Sequence, residues 1–257
     1  MMMNKENKII KNTIGILLLP IIIGVFLYII GLFSPNSLKF PSIIEIYGDF
    51  FHSLFDESVV NATVVTSKYV LISIVTSIFI GVILSFLLNI NKYIWSSFEP
   101  FIDFLRSIPV TFFIPAFAII LGVSSPNIIW ILAVIPSSLI ILVNVSYGLT
   151  QQNLNRLHQY QILSGHKSKI NTFFKVTLFE ILPFFISGFK IALSYAIVIV
   201  TVLEYMDMGN QTGLGTLISD EMEQLNYNRV YSIIIIVGLI GYILNKIIDK
   251  LFKKYVK

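Results

Sequence analysis

The feature that most constrains this chain is a long stretch without ionisable side chains. No Asp, Glu, Lys or Arg occurs between Ser107 and Asn155. A membrane-spanning helix needs about 20 predominantly apolar residues, so the stretch is long enough for two spans. Residues 122–127 read Gly-Val-Ser-Ser-Pro-Asn, a composition typical of a turn. We therefore predict two spans here, at about 108–122 and 128–149.

The overall composition places the rest of the chain in a membrane as well. Of the 257 residues, 56% are hydrophobic and 12% charged, whereas globular domains carry about 25% charged residues. Four further apolar runs predict spans at about 13–33, 69–90, 181–203 and 230–248. The first run follows three lysines but is longer than a signal peptide's apolar region, so we expect it to be retained. The expected fold is an all-α polytopic membrane protein with about six transmembrane helices in a single domain, 1–257.

The distribution of basic residues predicts the orientation. If the N-terminus is inside, fourteen of the 18 Lys and Arg residues fall in inner segments and three in outer segments. Cytoplasmic loops carry the excess of Lys and Arg, so we predict that both termini are cytoplasmic. When the acidic residues are counted as well, the net charge of the outer segments is about −6 and that of the inner segments about +9.

Three loops carry patterns of their own. Apolar residues at helical spacing predict an amphipathic helix near 43–55, which either packs on the bundle or docks an outside partner. The outer loop after the 181–203 span is rich in glycine, which suits either a flexible loop or a gate. The inner loop at about 150–180 is basic and has Gly165 near its centre. It is either a topogenic loop or a projecting element that a soluble partner grips.

The chain lacks the residues of several kinds of active site. There are no cysteines and three histidines, and those histidines lie in predicted loops. No phosphate-binding loop, H-E-x-x-H or G-x-S-x-G motif occurs. We therefore predict no catalytic residue, no bound cofactor and no metal site.

Within the predicted spans, a few polar or irregular positions are candidates for a permeation pathway. Lys190 is the ionisable residue well inside a span, and it is either functional or simply snorkels or pairs. Pro136 frees a backbone carbonyl and kinks its helix. Ser137 and Asn144 follow it, although small polar residues also serve simple helix packing.

Four ordered motifs carry a family resemblance. The chain resembles the transmembrane permease subunit of a binding-protein-dependent ABC importer of the nitrate/sulfonate/taurine type. The resemblance extends from about residue 38 to the C-terminus. The motifs are Leu-Lys-Phe-Pro-Ser with Glu45 at 38–45, Phe-Leu-Arg-Ser-Ile-Pro at 104–109, Gly-Phe-Lys-Ile-Ala-Leu at 188–193, and Glu204 followed by Gly-Leu-Gly at 213–215.

The resemblance implies a coupling helix, which contacts an ATPase, within the inner loop. The family's Glu-Ala-Ala before a glycine corresponds to Gln159, Tyr160 and Gln161, counted back from Gly165. Counting from Leu182-Pro183 instead puts His166 at the glycine position. The coupling candidates are therefore Gln159, Tyr160, Gln161, Gly165 and His166. The pathway candidates are Pro136, Ser137, Asn144, Lys190 and Glu204.

The resemblance also implies partners and a location. They are a second permease subunit in a homodimer or heterodimer, two cytoplasmic ATP-binding subunits, and an extracytoplasmic solute-binding protein. The chain itself would be a multi-pass protein of the cell membrane and not an enzyme, with ATP hydrolysed in a separate subunit. The cargo would be a nitrate-, sulfonate- or taurine-like solute or a vitamin precursor. The alternatives are a stand-alone secondary transporter or channel and, third, a membrane-embedded enzyme.

Overall fold

The computed structural model describes residues 43–152 and 169–252. It also describes six single positions, all helical, at Val25, Ile29, Arg156, Gln159, Tyr160 and Ile162. The predicted first span at 13–33 and the candidates Gln161, Gly165 and His166 lie outside the described residues, except for the two single positions in that span. In the described part every regular element is a helix, which confirms the all-α prediction.

Eight helices, numbered here in chain order, form the described part of the chain. They are α1 (Ile43–Ser53), α2 (Glu57–Leu88), α3 (Lys92–Ser107), α4 (Ile114–Leu121), α5 (Asn127–Thr150), α6 (Leu178–Tyr205), α7 (Leu214–Glu223) and α8 (Tyr227–Phe252). A 3₁₀ turn, Val110–Phe113, leads into α4. A helical turn (Lys169–Thr172) and a π-helical turn (Phe173–Thr177) lead into α6.

Four of these segments are long and apolar enough to cross a membrane: α2, α5, Phe173–Tyr205 and α8. A fifth candidate is the pair formed by α3 and Val110–Leu121, whose axes are bent by 84°. The described residues thus hold four spans, or five if the bent pair is one broken span. The broken pair includes the predicted 108–122 span, which is not a continuous helix. Pro109 has no N–H and forces Ile108 to an extended backbone with ψ 120°, so the helix stops at Ser107.

Two helices are longer than the apolar runs that predicted them. α2 begins at Glu57, where the Asp56 carboxylate caps it by accepting from the Ser58 N–H at 2.9 Å. The predicted span began only at residue 69 because Lys68, a charged residue inside the helix, ended the charge-free run. The helix that contains the predicted 181–203 span begins earlier as well, with helical turns from Lys169 and Phe173 that lie within the inner loop predicted at about 150–180.

The core of the bundle is α5 packed between α2 and α6. Small side chains on α2 allow close approach to α5: a Cβ on Gly81 would lie 2.7 Å from the Ser138 carbonyl oxygen. The buried Ser73 and Ser77 hydroxyls donate to carbonyls one turn back, at 2.6 and 2.7 Å, so no polar group is stranded there. This is the small-residue packing expected between membrane helices.

α8, α7 and α1 lie against one end of this core. Phe50 of α1 is buried with Leu214, Ile218 and Ile233 of α7 and α8. The Ser232 hydroxyl donates to the Ile46 carbonyl at 3.0 Å. The end of the bundle that carries α1, α7 and the first turns of α2 and α8 is called the α7 end below.

Candidate functional site

A cavity of about 130 Å³ lies where the broken span meets the core. It is lined by residues of the break itself and by the middle of α5 and α6, among them Arg106, Ile108, Val110, Phe113, Pro136 and Tyr195. At 1.5 Å of rise per residue, Pro136 is about 14 Å along α5 from its first residue, near the helix midpoint. The cavity therefore lies at mid-depth in the bundle.

Interrupted backbone surrounds this cavity on two sides. Ile108 and Pro109 leave the helical conformation between α3 and the 3₁₀ turn. Pro136 lies inside α5 and cannot donate a backbone hydrogen bond to the preceding turn. Irregular backbone at membrane depth is tolerated where it is buried in protein or lines a cavity, and broken helices mark binding sites in transporters.

Arg106 brings a charge to the cavity. Its guanidinium lies 3.4 Å from the Asp103 carboxylate, and its side chain is 40% exposed. Apart from Tyr195, the other lining residues are apolar. Sequence reasoning counted Arg106 among the basic residues of the inner segments and quoted it within a family motif, but did not place it in the pathway, because its proximity to Pro136 depends on the bend.

Pro136 thus lies at the cavity, whereas its neighbours Ser137 and Asn144 lie in the contact between α5 and α6. The buried Ser137 hydroxyl donates to the Ala192 carbonyl at 3.3 Å. The Asn144 amide donates to the Ile140 carbonyl at 2.9 Å, and its Cβ would lie 2.7 Å from a Cβ on Gly188. In this single chain both residues therefore support helix packing.

Lys190 has a partner on another helix. Its ammonium lies 2.7 Å from the Asp249 carboxylate of α8, and the two side chains are 33% and 53% exposed. One turn along, the Asn245 amide donates to the Ser194 hydroxyl at 3.2 Å. The pairing alternative left open for Lys190 is the one the structure contains, and Asp249 was the residue that sequence reasoning missed.

Glu204 forms the centre of a buried polar cluster at the α7 end, with a relative exposure of 0%. The Thr66 hydroxyl donates to its carboxylate at 2.8 Å, and the Gly215 N–H donates at 3.1 Å. Thr66 in turn accepts from the Leu214 N–H at 2.9 Å. The carboxylate thereby joins α6 to α2 and to the first turn of α7.

Glycine is required at the start of α7 because backbone and carboxylate approach so closely there. A Cβ on Gly215 would lie 2.1 Å from the Thr201 carbonyl oxygen, and one on Gly213 would overlap the Glu204 carboxylate. The Thr216 hydroxyl adds a bond to the Glu204 carbonyl at 3.2 Å. These contacts hold α7 against α6, and they explain why Glu204 is followed by Gly213 and Gly215 in this part of the sequence.

A second polar group at the α7 end surrounds Arg229 of α8. Its guanidinium lies 2.8 Å from both the Asp56 and the Glu221 carboxylates. It also donates to the Ser58 hydroxyl at 2.8 Å. The hydrogen bonds from the Ser58 N–H and hydroxyl, together with Arg229, hold the pKa of Asp56 below its usual value. One arginine thus ties the first turns of α2 and α8 to the end of α7.

Two of the coupling candidates, Gln159 and Tyr160, are among the described residues, and both are helical. Near them in sequence, the Arg156 guanidinium lies 3.5 Å from the Glu180 carboxylate of α6. Among the described residues, no group of three or more His, Asp or Glu side chains could hold a metal ion.

A family model described as "Binding-protein-dependent transport system inner membrane component" matches residues 67–257. The chain belongs to this family. The match covers every span of the described structure except the first turns of α2. As an inner membrane component with several apolar helices, it is a multi-pass protein of the cell membrane.

Curated relatives from this family are distant. The chain is 26% identical over 171 residues to the nitrate import permease protein NrtB of Leptolyngbya laminosa, which covers 65% of this chain and 58% of that one. It is 27% identical over 179 residues to the formylaminopyrimidine transport permease protein ThiX of Halalkalibacterium halodurans, covering 68% of each. The chain thus matches less than two thirds of the length of the nitrate relative.

The fold is also that of a solved ABC transporter component. A chain of the MetNI methionine ABC transporter in an inward-facing conformation superposes with a TM-score of 0.64 at 16% sequence identity. The superposition covers 77% of this chain and 96% of the other. At that identity the likeness establishes the fold alone.

Proposed function

We propose that this chain is the membrane-spanning permease subunit of an ABC importer and forms the pathway for a small solute. The observation that best supports this function is the cavity at mid-depth, where a broken span meets Pro136 of α5 in a chain of this family. The relatives named above import nitrate and a pyrimidine, which sets the scale of the solute at a few heavy atoms to one small ring.

The chain would work with separate partners. In this proposal a second permease subunit completes the pathway, a solute-binding protein delivers the cargo at the α7 end, and two ATP-binding subunits act at the opposite end. The α7 end is then extracytoplasmic and both termini are cytoplasmic, as the basic residues predict. The −6 charge expected on that outer face argues against simple electrostatic collection of anions there.

Coupling to ATP hydrolysis would act through Gln159 to His166. Helix resumes at Lys169 and continues to Tyr205, with a π-helical turn at Phe173–Thr177 and Pro183 inside it. A push on the loop would therefore reach the cavity wall at Tyr195 and the Glu204 cluster along one continuous element. Pro136 would contact the solute. Ser137, Asn144 and Lys190 would hold the helices that move, and Glu204 would fix α7.

The test is co-purification from mild detergent with the ATPase encoded beside this chain, followed by uptake in reconstituted vesicles. A variant with residues 159–166 replaced by a Gly/Ser linker should lose the ATPase, because the docking element is gone. A matched control carries Glu223→Ser, Gln224→Ser and Leu225→Gly in an exposed turn at the α7 end, and it should retain the ATPase.

Three results separate the readings. Loss of the ATPase in the linker variant alone supports both the permease function and the coupling segment. Equal binding by both variants means that the coupling element lies elsewhere in the chain. Uptake that proceeds without any ATPase contradicts the importer and favours a stand-alone transporter, for which the Lys190–Asp249 pair would be the first candidate coupling site.

A further inference from the structure

We propose that Arg106 makes the mid-depth cavity a transient binding site for an anion, and that this residue favours a nitrate-like cargo over a neutral one such as a pyrimidine. The inference rests on the proposed function, because a cavity in a protein that moves no solute would need no such selection. The inference adds to the proposed function the residue that distinguishes an anionic solute from a neutral one.

The depth of Arg106 is the first argument. It lines the same cavity as Pro136 and Ile140 in the middle of α5 and Tyr195 in α6. A charged side chain near the bilayer centre is costly when it faces lipid, and such residues face water-filled cavities or other protein. An arginine that is 40% exposed at this depth therefore belongs on a hydrated path.

The second argument is that Arg106 is only loosely held. Its contact with Asp103 is long, at 3.4 Å, and the Asp103 side chain is 60% exposed. Exposed ion pairs between residues about one helical turn apart contribute little to stability. An arriving anion can therefore replace Asp103 as the partner of the guanidinium, whose fork of N–H donors suits planar oxyanions.

Two other charges within the bundle, Lys190 and Glu204, have closer partners. Lys190 lies 2.7 Å from Asp249, and Glu204 is buried and accepts from Thr66 and Gly215. Among the described residues that line the cavity, Arg106 alone carries a charge. Since the expected outer face is acidic, it would not attract an anion, whereas Arg106 supplies a positive charge inside the pathway, where the low dielectric strengthens each charge.

The chain contains no cysteine, so a single introduced thiol can report the potential in the cavity. Val110→Cys is made in the assembled transporter with its ATPase and binding protein. Its modification rates are then measured with an anionic and a cationic methanethiosulfonate reagent of similar size. If Arg106 is at the site, the anionic reagent is favoured.

The matched changes are made in the Val110→Cys background. Arg106→Gln should lower the ratio of anionic to cationic rates by about tenfold, the effect of one charge about 10 Å away at intermediate dielectric. Asp103→Asn should raise the ratio, and Arg106→Lys should leave it near the starting value. Gln224→Cys, at the distant α7 end, should show no change of ratio with Arg106→Gln.

The outcomes distinguish this inference from the proposed function. In one outcome, Val110→Cys reacts in transporters that take up solute, while Arg106→Gln and Asp103→Asn leave the ratio of anionic to cationic modification rates unchanged. That result contradicts the anion site and leaves the permease function standing. If Val110→Cys reacts in no nucleotide state while uptake proceeds, the cavity is off the pathway and the inference also fails. Absence of uptake with this ATPase and binding protein contradicts the proposed function itself. Arg106→Lys keeps the positive charge. If both this variant and Arg106→Gln fail to assemble, substitution at this position and not loss of the charge is the cause.

Discussion

The α7 end and the broken span use polar residues in opposite ways. At the α7 end, partners from α2 and α7 enclose Glu204 and Arg229, and glycines bring the α7 backbone into contact with Glu204. At the broken span, Arg106 has one exposed partner and borders an open cavity. Buried polar groups are costly unless fully satisfied, so the first arrangement holds helices in one position. The second leaves a charge free to meet a solute.

The largest effect should come from adding a methyl group at Gly215. Gly215→Ala would place a Cβ 2.1 Å from the Thr201 carbonyl oxygen, so α7 must leave its seat. We expect a loss of about 3 kcal/mol or more in the free energy of unfolding, measured by thermal unfolding in detergent. Gly238→Ala is the control, since a Cβ there meets nothing within 4 Å. Equal stability of the two variants would contradict the tight packing at the α7 end.

Removal of the Glu204 carboxylate should have the next largest effect. Glu204→Ala leaves the Thr66 hydroxyl and the Gly215 N–H buried without an acceptor. The expected cost is about 2–3 kcal/mol, because unmade buried hydrogen bonds cost more than made ones contribute. Glu223→Ala, which removes an exposed acid at the end of α7, should change the unfolding temperature little. A Glu204→Ala protein as stable as the Glu223→Ala protein would show that the cluster does not hold α7.

The Lys190–Asp249 pair lies between the two extremes, since it is short but partly exposed. A double-mutant cycle with Lys190→Met and Asp249→Leu should give a coupling energy of about 1 kcal/mol or less. The same variants, assayed for uptake, show whether the pair matters for movement more than for stability. A coupling of several kcal/mol would place this pair with the Glu204 cluster and not with the exposed ion pairs.

The smallest effect is a pH dependence at Asp56. Hydrogen bonds from Ser58, with help from Arg229, keep the pKa of Asp56 below its usual 3.8. The folded protein then binds this proton less readily than the unfolded chain does, so the contribution to stability is complete above about pH 4 and is lost as pH falls through the lowered pKa. Asp56→Asn should flatten the unfolding temperature between pH 4 and pH 3, compared with Glu223→Gln. An unchanged slope would mean that the cap adds no pH-dependent stability.

Sequence reasoning placed the long helices well and their ends poorly. Runs free of charge identified the cores of α2, α5, α6 and α8, because lipid excludes charge along a whole span. The same criterion placed the start of α2 too late, because Lys68 interrupts the charge-free run. The helix begins at Glu57, where Asp56 caps it. The helix predicted near 43–55 is α1, Ile43–Ser53, and its apolar spacing was sufficient to find it.

The candidate site could be predicted only in part, for a different reason. A proline inside a span identified Pro136, which borders the cavity, and a charge inside a span identified Lys190, since both are properties of single residues. Asp249 as the partner of Lys190 and Thr66 as the donor to Glu204 depend on residues far apart in the chain. No local pattern encodes such pairs.

Local features of the sequence are sufficient to show that this chain is a helical membrane protein of the binding-protein-dependent transport family. Hydropathy and motifs are properties of short segments, and each apolar segment has to satisfy its own backbone hydrogen bonds in the bilayer as a helix. Only the folded chain shows that α3 and the segment Val110–Leu121 are bent by 84° and that Arg106 and Pro136 border one cavity. It also shows that Glu204 is enclosed and Arg106 is open. Burial depends on which helices pack together, and packing is a property of the assembled bundle.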